Sequence, residues 1–351
     1  MLRIGHLELD FPVVQAALSG YSDGPMCLIA RRHGAPCCLH EVVLDRFVVQ
    51  PGKIRRQLLT LDGEDHPVGG QLMGADPTQL SAAAETMAAA GFDFVDLNFA
   101  CPVRKVLGRG RGGHLLSEPS RSIEIIKRVR DAVPRETPVT LKMRRGMDDS
   151  ATSERNFFRI FDAAFDIGLA AVTVHGRTVK QRYSGPSDWQ FIERSKRHAG
   201  NQTVLGSGDL FAAEDIRRML DQTGVDGVTV ARGCLGNPWV FEETRALLAG
   251  APLPDPPTVV EQGRVIREHF DLSVAAHGER RAARIMRRFG IKYADLHPEH
   301  IAVRDAFVAS KTAADWLAVL DEWYDPTRPW PPGRRKPGSD HSIAAGAKRC
   351  E

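Results

Sequence analysis

A rhythm runs through the first 250 residues of this chain. Eight short apolar runs rich in β-branched residues follow one another: Val13–Ala16, Cys38–Val43, Val68–Leu72, Phe94–Asn98, Val139–Met143, Ala171–His175, Val204–Gly206 and Val228–Ala231. Their spacing is that of strand–helix units. Runs such as AAVTVHG and DGVTVARG are apolar throughout rather than alternating, as parallel strands buried on both faces should be. Between them lie amphipathic stretches. In Ser120–Val133, Ile123 and Ile126, then Val129 or Arg130, recur at helical spacing after a Pro119–Ser120 start. Eight such units over the first 250 residues predict a TIM (β/α)8 barrel of the α/β class. A doubly wound sheet is the competitor, and it rarely repeats so regularly.

At Gly250–Pro257 (GAPLPDPP) the pattern breaks with four prolines, so residues 251–257 read as a linker. Beyond it only helical patterns occur, over Thr258–Ala276, Glu279–Leu296, Ile301–Ala309 and Ala313–Trp323. The expected organisation is therefore a barrel over 1–250 and a small helical bundle over 258–330. Residues 331–351 carry no periodic apolar pattern and read as a tail without order.

The chain has 351 residues, 42% of them apolar and 26% charged, which excludes a disordered chain, a collagen-like repeat and a coiled coil. No apolar run reaches the ~18 residues that a transmembrane helix needs. Glu8 and Asp10 interrupt the N-terminus where a signal peptide needs an apolar stretch, so a cytoplasmic location is expected. Six cysteines with no CxxC pair exclude a disulfide scaffold and argue against zinc, so no metal is expected. The net charge is only +3, yet bases cluster in 104–111 (RKVLGRGR) and 280–292 (RRAARIMRRFGIK). Each cluster is either a phosphate-binding patch or a solvated surface.

Barrel chemistry sits at the C-terminal strand ends. Those stations read Gln71, Asn98, Cys101, Lys142, His175, Ser207 with Asp209, and Arg232. The loops after the seventh and eighth strands, Gly206–Asp209 and Ala231–Gly236, are glycine-rich. Glycine lets backbone N–H groups approach an anion, and these are the common phosphate loops of this fold. Cys101 lies on the rim, followed by Pro102 and a basic loop. Arg104 and Lys105 would favour its thiolate, whereas a neutral thiol could donate a proton. Cys27, Cys37 and Cys38 read as core, Cys234 is ambiguous, and Cys350 falls in the tail. Lys142 inside VTLKM needs an anionic partner, such as an electron-rich cofactor oxygen, or must snorkel to solvent. His175 reads as a core imidazole or a site residue; Arg177 two positions on favours an anion-facing site.

In combination these segments resemble the tRNA-dihydrouridine synthases. The resemblance spans residues from about 12 to 325 and is carried by QLMGADP (71–77), DLNFACPVRKVLGRGRGGHLL (96–116), VTLKMRRG (139–146), VTVHGRTVKQRYSGPSDW (172–189), GSGDL (206–210) and DGVTVARGCLGNPW (226–239). It implies an FMN-bearing barrel, NADPH as reductant and tRNA as substrate. Gln71 and Lys142 would hold the isoalloxazine edge and His175 would lie near the flavin. Ala16, Ala17, Ser207, Gly208, Asp209, Ala231, Arg232 and Gly233 would complete the cofactor site. Cys101 would be the general acid, and Asn98 and Tyr183 would contact the target uracil. Hydride would pass from flavin N5 to carbon 6 of the base and a proton from Cys101 to carbon 5. Arg144 and Arg177, with Arg280, Arg284, Arg287 and Arg288 on one helix face, would meet the RNA; Arg145, Lys180, Arg182 and the 104–111 loop would add phosphate contacts. Three segments depart from the family pattern. Ala17–Gly20 reads ALSG rather than PMAG, Ala100 replaces a glycine, and Ser207–Asp209 replaces NGD.

A monomer without membrane contact is expected. Three other readings stand beside this one: a small-molecule flavin reductase of the dihydroorotate dehydrogenase type, a non-catalytic RNA-binding protein, and a flavin-free phosphosugar barrel. The small-molecule reductase would not need the basic helical domain.

Overall fold

A computed structural model describes residues 1–339. The chain opens with an antiparallel hairpin, β1 (Leu2–Ile4) and β2 (Leu7–Leu9). Then come β3 (Val13–Gln15), α1 (Gly24–Arg32), β4 (Cys37–Leu39), β5 (Val43–Leu44), α2 (Asp45–Val49), α3 (Lys53–Leu59), β6 (Val68–Met73), α4 (Pro77–Ala89), β7 (Phe94–Phe99), α5 (Arg104–Leu107), α6 (Pro119–Ala132), β8 (Val139–Arg144), α7 (Ala151–Asp166), β9 (Ala171–His175), α8 (Trp189–Ala199), β10 (Val204–Ser207), α9 (Ala213–Thr223), β11 (Gly227–Val230) and α10 (Val240–Leu248). Four helices follow: α11 (Val259–His277), α12 (Glu279–Tyr293), α13 (His300–Ala309) and α14 (Ala313–Trp323).

The parallel strands pair in the order β4-β3-β11-β10-β9-β8-β7-β6, and β4 also pairs with β6. That last pairing closes the ring, so the molecule is a TIM barrel followed by helices. The expected second strand, Cys38–Val43, is two pieces in the structure. β4 ends at Leu39, the chain bends through His40–Val42, and β5 then pairs only with β6. No helix among the described residues is long and apolar enough to cross a membrane.

Strand register layers the interior. Val14, Cys37, Leu39, Phe94, Ala171 and Leu205 form an apolar floor against Leu2, Ile4 and Leu9 of the hairpin, which plugs the barrel's N-terminal end. Two residues further along their strands, Gln71, Asp96, Thr140 and Thr173 are buried polar groups on the same inward side. One more step brings Asn98, Lys142, His175 and Ser207 to the mouth. Alternate residues such as Val95, Leu97, Leu141, Val172, Val228 and Val230 pack outward into the main core under the helices. Local chemistry starts those helices where the sequence marks them. Asp23, Asp76, Ser150 and Asp188 each cap the helix that follows, with proline in the first turn of α1 and α4.

Residues 331–339, expected to lack order, instead run as an extended strap bonded to the body. Arg334 N–H donates to Leu296 O at 2.8 Å, and Ser339 N–H to Asp215 Oδ2 at 2.8 Å. The strap has no apolar periodicity because its contacts are polar and backbone-directed. The rest of the expected tail, with Cys350, lies outside the described residues.

Candidate active site

A polar chain runs from the barrel interior to the rim cysteine. Thr140 Oγ1 donates to Asp96 Oδ1 at 2.6 Å, and Gln71 Nε2 donates to Asp96 Oδ2 at 2.7 Å. Asn98 Nδ2 donates to Gln71 Oε1 at 2.6 Å, while Asn98 Oδ1 accepts the backbone N–H groups of Ala100 and Cys101, each at 3.0 Å. On the other side Cys101 O accepts Gly113 N–H at 3.0 Å. A Cβ on Gly112, which has φ +57°, would lie 2.9 Å from Cys101 Cβ, so that segment must be bare to pack here. Cys101 is thus held on both flanks at the mouth. Burial raises its thiol pKa, only partly opposed by the Val103 N–H and the charge of Arg144, so at neutral pH it carries its proton.

Asp96 was not among the expected site residues. Its signal was present as an acid inside the apolar run FVDLNF. Burial pushes its carboxyl up to about 6, against the opposing pull of Thr140, Gln71 and Lys142. Lys142, across the β7–β8 pair, is only partly buried but crowded by protein. Burial, then the charge of Arg144, brings it down to about 8, with Asp96 opposing. Its ammonium has no hydrogen-bond acceptor among the described residues, so it is poised for an electron-rich partner at the mouth.

His175 ends β9. Its Nδ1 accepts Arg177 N–H at 3.1 Å, which leaves the proton of the neutral ring on Nε2. The ring stays neutral because burial, with Lys142, Arg144, Arg177 and Arg232 nearby, drives its pKa well below the usual range. Asp209, at φ 58°, receives Arg177 Nη2 at 2.7 Å and the N–H of Ser187 at 2.7 Å, with Arg232 at 3.5 Å. Among the described residues, Arg177 Nη1 is buried with no hydrogen-bond partner. Gly208 (φ 114°) and Gly233 have no room for a Cβ, which would meet Ser187 Oγ at 2.5 Å and Leu210 O at 2.3 Å. Trp189 Nε1 donates to Gly208 O at 3.2 Å. The two loops after β10 and β11 therefore lie side by side, fixed from behind, beside several positive charges. Ala16, whose N–H bonds Val230 O at 2.8 Å, and Ala17 bring the end of β3 beside them.

Several expected RNA contacts sit elsewhere. Arg144 is buried: its donors go to Ala100 O at 2.8 Å, Thr178 O at 2.9 Å and Arg182 O at 2.7 Å, so it braces the β7 and β9 loops. Arg177 is likewise buried, binding Gly185 O at 2.8 Å as well as Asp209. Arg145 bonds Gly176 O, and Lys180 pairs with Asp148 at 2.7 Å. Asn98 spends its amide on Gln71 and the Cys101 backbone. Tyr183, in contrast, is 58% exposed at the mouth, flanked by Arg144 and Arg232 at 5.6 and 5.1 Å from its ring. Arg280, Arg284 and Arg287 are exposed on α12. Arg288 is exposed too but lies 5.4 Å over the Tyr21 ring, clasping the β3 loop.

One cluster of metal-capable groups appears that cysteine spacing did not reveal. Ligand atoms of Cys27, His40 and Asp65 lie within 4.8 Å of one another. The groups largely engage each other and the core: His40 bonds Asp65 at 3.0 Å, and Gln15 Nε2 points at Cys27 Sγ at 3.3 Å.

The comparisons agree with this geometry. The family model described as dihydrouridine synthase matches residues 14–325. A Mycobacterium tuberculosis protein named as a probable tRNA-dihydrouridine synthase is 36% identical over 98% of this chain and 90% of its own length. The tRNA-dihydrouridine synthase B of Xanthomonas campestris is 31% identical over 92% of this chain and 96% of its own. Among solved structures, morphinone reductase superposes with a TM-score of 0.52 at 16% identity, covering 73% of this chain and 90% of that one, a likeness of fold alone. A family match that runs through the barrel and on into the helices, over a mouth that gathers thiol, amide, amine and paired glycine loops, means that the chain belongs to the dihydrouridine synthase family.

Proposed function

We propose that this oxidoreductase reduces uridines of tRNA to 5,6-dihydrouridine in the cytoplasm, with FMN as its flavin, NADPH as reductant and Cys101 as proton donor. The flavin requirement follows from the family. The residues present fit such a group. Among the described residues Arg177 Nη1 is buried with no hydrogen-bond partner and Lys142 meets no acceptor, and two glycine loops stand side by side where a phosphate would sit. Gln71 and Lys142 would hold the isoalloxazine edge. His175 would donate through Nε2. The loops at 207–209 and 231–233, with Arg232, would take the phosphate.

Once bound and reduced, a flavin held by these residues would provide the hydride chemistry at carbon 6 of the uracil. The chain's part is the other half of the reaction. Charge gathering at carbon 5 and the 4-oxo group is quenched as the Cys101 S–H bond breaks and carbon 5 takes the proton; solvent then reprotonates the thiolate. Such a step contributes roughly 10²–10⁴ in rate. Tyr183 offers a face on which an extruded base could stack. Extrusion costs least where the base is already unpaired, which fits loop uridines as targets.

This reading is carried by a thiol kept protonated at the barrel mouth, on a residue whose backbone N–H is tied through Asn98 to Gln71. The test is Cys101→Ala assayed on unmodified tRNA, with dihydrouridine read by mass spectrometry. Turnover should fall by about 10²–10⁴ while the protein stays yellow and NADPH still bleaches it. Wild-type turnover in the variant would remove Cys101 from the reaction.

A further inference from the structure

The strap at 331–339 lies against the loop after β11 and against Asp215 in the first turn of α9, which follows the other glycine loop. It leaves the helices at Gly333, where a Cβ would lie 2.0 Å from Pro257 O. Arg335 Nη1 then bonds Glu243 Oε1 at 2.7 Å. Lys336 Nζ donates to Arg232 O at 2.9 Å and Leu235 O at 3.1 Å. Ser339 Oγ donates to Asp215 Oδ1 at 2.6 Å. Asp215 also accepts the N–H groups of Phe211 and Ala212 at 3.0 and 3.2 Å, directly after the GSGDL loop. Arg218 reaches Asp215 at 2.7 Å and stacks 5.3 Å from Trp189, which holds Gly208 O.

We propose that Lys336 is a positioning residue for phosphate binding, setting the loop after β11 from behind. The peptide plane supplies the reason. In a trans peptide the C=O of one residue and the N–H of the next point in opposite directions. Drawing Arg232 O toward Lys336 therefore turns Gly233 N–H to the other side of the loop, and drawing Leu235 O does the same for Gly236 N–H. The ammonium also leaves a positive charge beneath the loop, with Arg232 above. Burial pushes that ammonium down to about 8, and Asp295 opposes the push. A bound phosphate dianion would favour its charged form.

This inference rests on the FMN reading, and the two can fail separately. The experiment titrates flavin-stripped full-length protein with FMN and with riboflavin, which lacks the phosphate, by flavin fluorescence. Wild type should prefer FMN. Lys336→Met should weaken FMN roughly ten- to hundredfold, with riboflavin nearly unchanged. Lys336→Arg, which keeps the charge and the donors, should recover most of the loss. Thermal melts of the stripped variants confirm folding, and Lys336→Gln serves as a second neutral variant if Lys336→Met does not fold. If Lys336→Met loses both ligands equally, or neither, Lys336 has no role directed at the phosphate and the proposal is overturned. If wild type does not discriminate between the ligands, the phosphate reading itself falls, and the strap's role with it.

Discussion

At the residue scale, the barrel's interior sacrifices stability to hold its site. Asp96 is wholly enclosed, and its carboxyl titrates near 6 rather than at the usual 3.8. The folded state therefore binds the proton more tightly than the unfolded chain does. The stabilising neutral form is fully present below pH 3.8 and is lost as the pH rises through 6. The difference between 3.8 and about 6 corresponds to on the order of 3 kcal/mol. Asp96→Asn removes that titration while leaving an amide for Thr140 and Gln71. Its stability relative to wild type should therefore climb between pH 4 and 7 by up to ~3 kcal/mol, read by urea unfolding at stepped pH. A constant difference across that range would mean that Asp96 is not titrating there. The mouth residues Gln71, Lys142 and His175 were legible because polar groups inside apolar strands demand a reason. The commitments of Asn98, Arg144 and Arg177 were not. Sequence reveals a guanidinium but not that carbonyls of two other loops have already taken it.

At the element scale, α12 divides its bases by position. Ala282, Ala283, Met286, Phe289, Gly290 and Tyr293 are buried, and Arg280, Arg284 and Arg287 share the opposite, exposed face at i, i+4, i+7. These three fit phosphate contacts, while Arg288 is turned back onto Tyr21. Replacing the three with glutamine should weaken tRNA binding and reduce its salt slope by about one per residue, roughly three in all. NADPH-driven bleaching of the flavin should be unaffected. Filter binding across a salt series reads the slope, and an unchanged slope would take α12 out of the RNA contact. The helices were readable because their apolar period and caps agree; Thr258 and Thr312 each close a capping box. The N-terminal hairpin and the strap were not. Three-residue strands are too short to show a period, and the strap's partners are backbone carbonyls and side chains far away in sequence.

At the scale of the molecule, a proline-rich linker invites a picture of two bodies, yet the apolar cluster under the barrel helices continues without a break into Ile266, Met286, Phe307 and Trp316. Contacts across the seam are specific. Tyr21 meets Phe289 edge-on at 5.4 Å, and His277 pairs with Asp23 at 2.8 Å. Gly236, in the glycine-rich loop after β11, has φ +64° and sits so close to α12 that a Cβ would lie 2.3 Å from the Lys292 carbonyl carbon. Backbone meets backbone there, so neither side can yield as a flexible side chain would. Surfaces that share one core should lose their structure together. Amide exchange should therefore show β8 and α14 giving up protection in one cooperative step. Gly236→Ala adds a left-handed strain of about 1–2 kcal/mol to the clash, and should lower the thermal midpoint by roughly 2–6 °C. It should also weaken FMN, because the same few residues carry the loop and the seam. If α11–α14 open well before the barrel in wild type, the common core contributes no cooperativity, and the helices are then an appendage that RNA binding could move independently of the flavin.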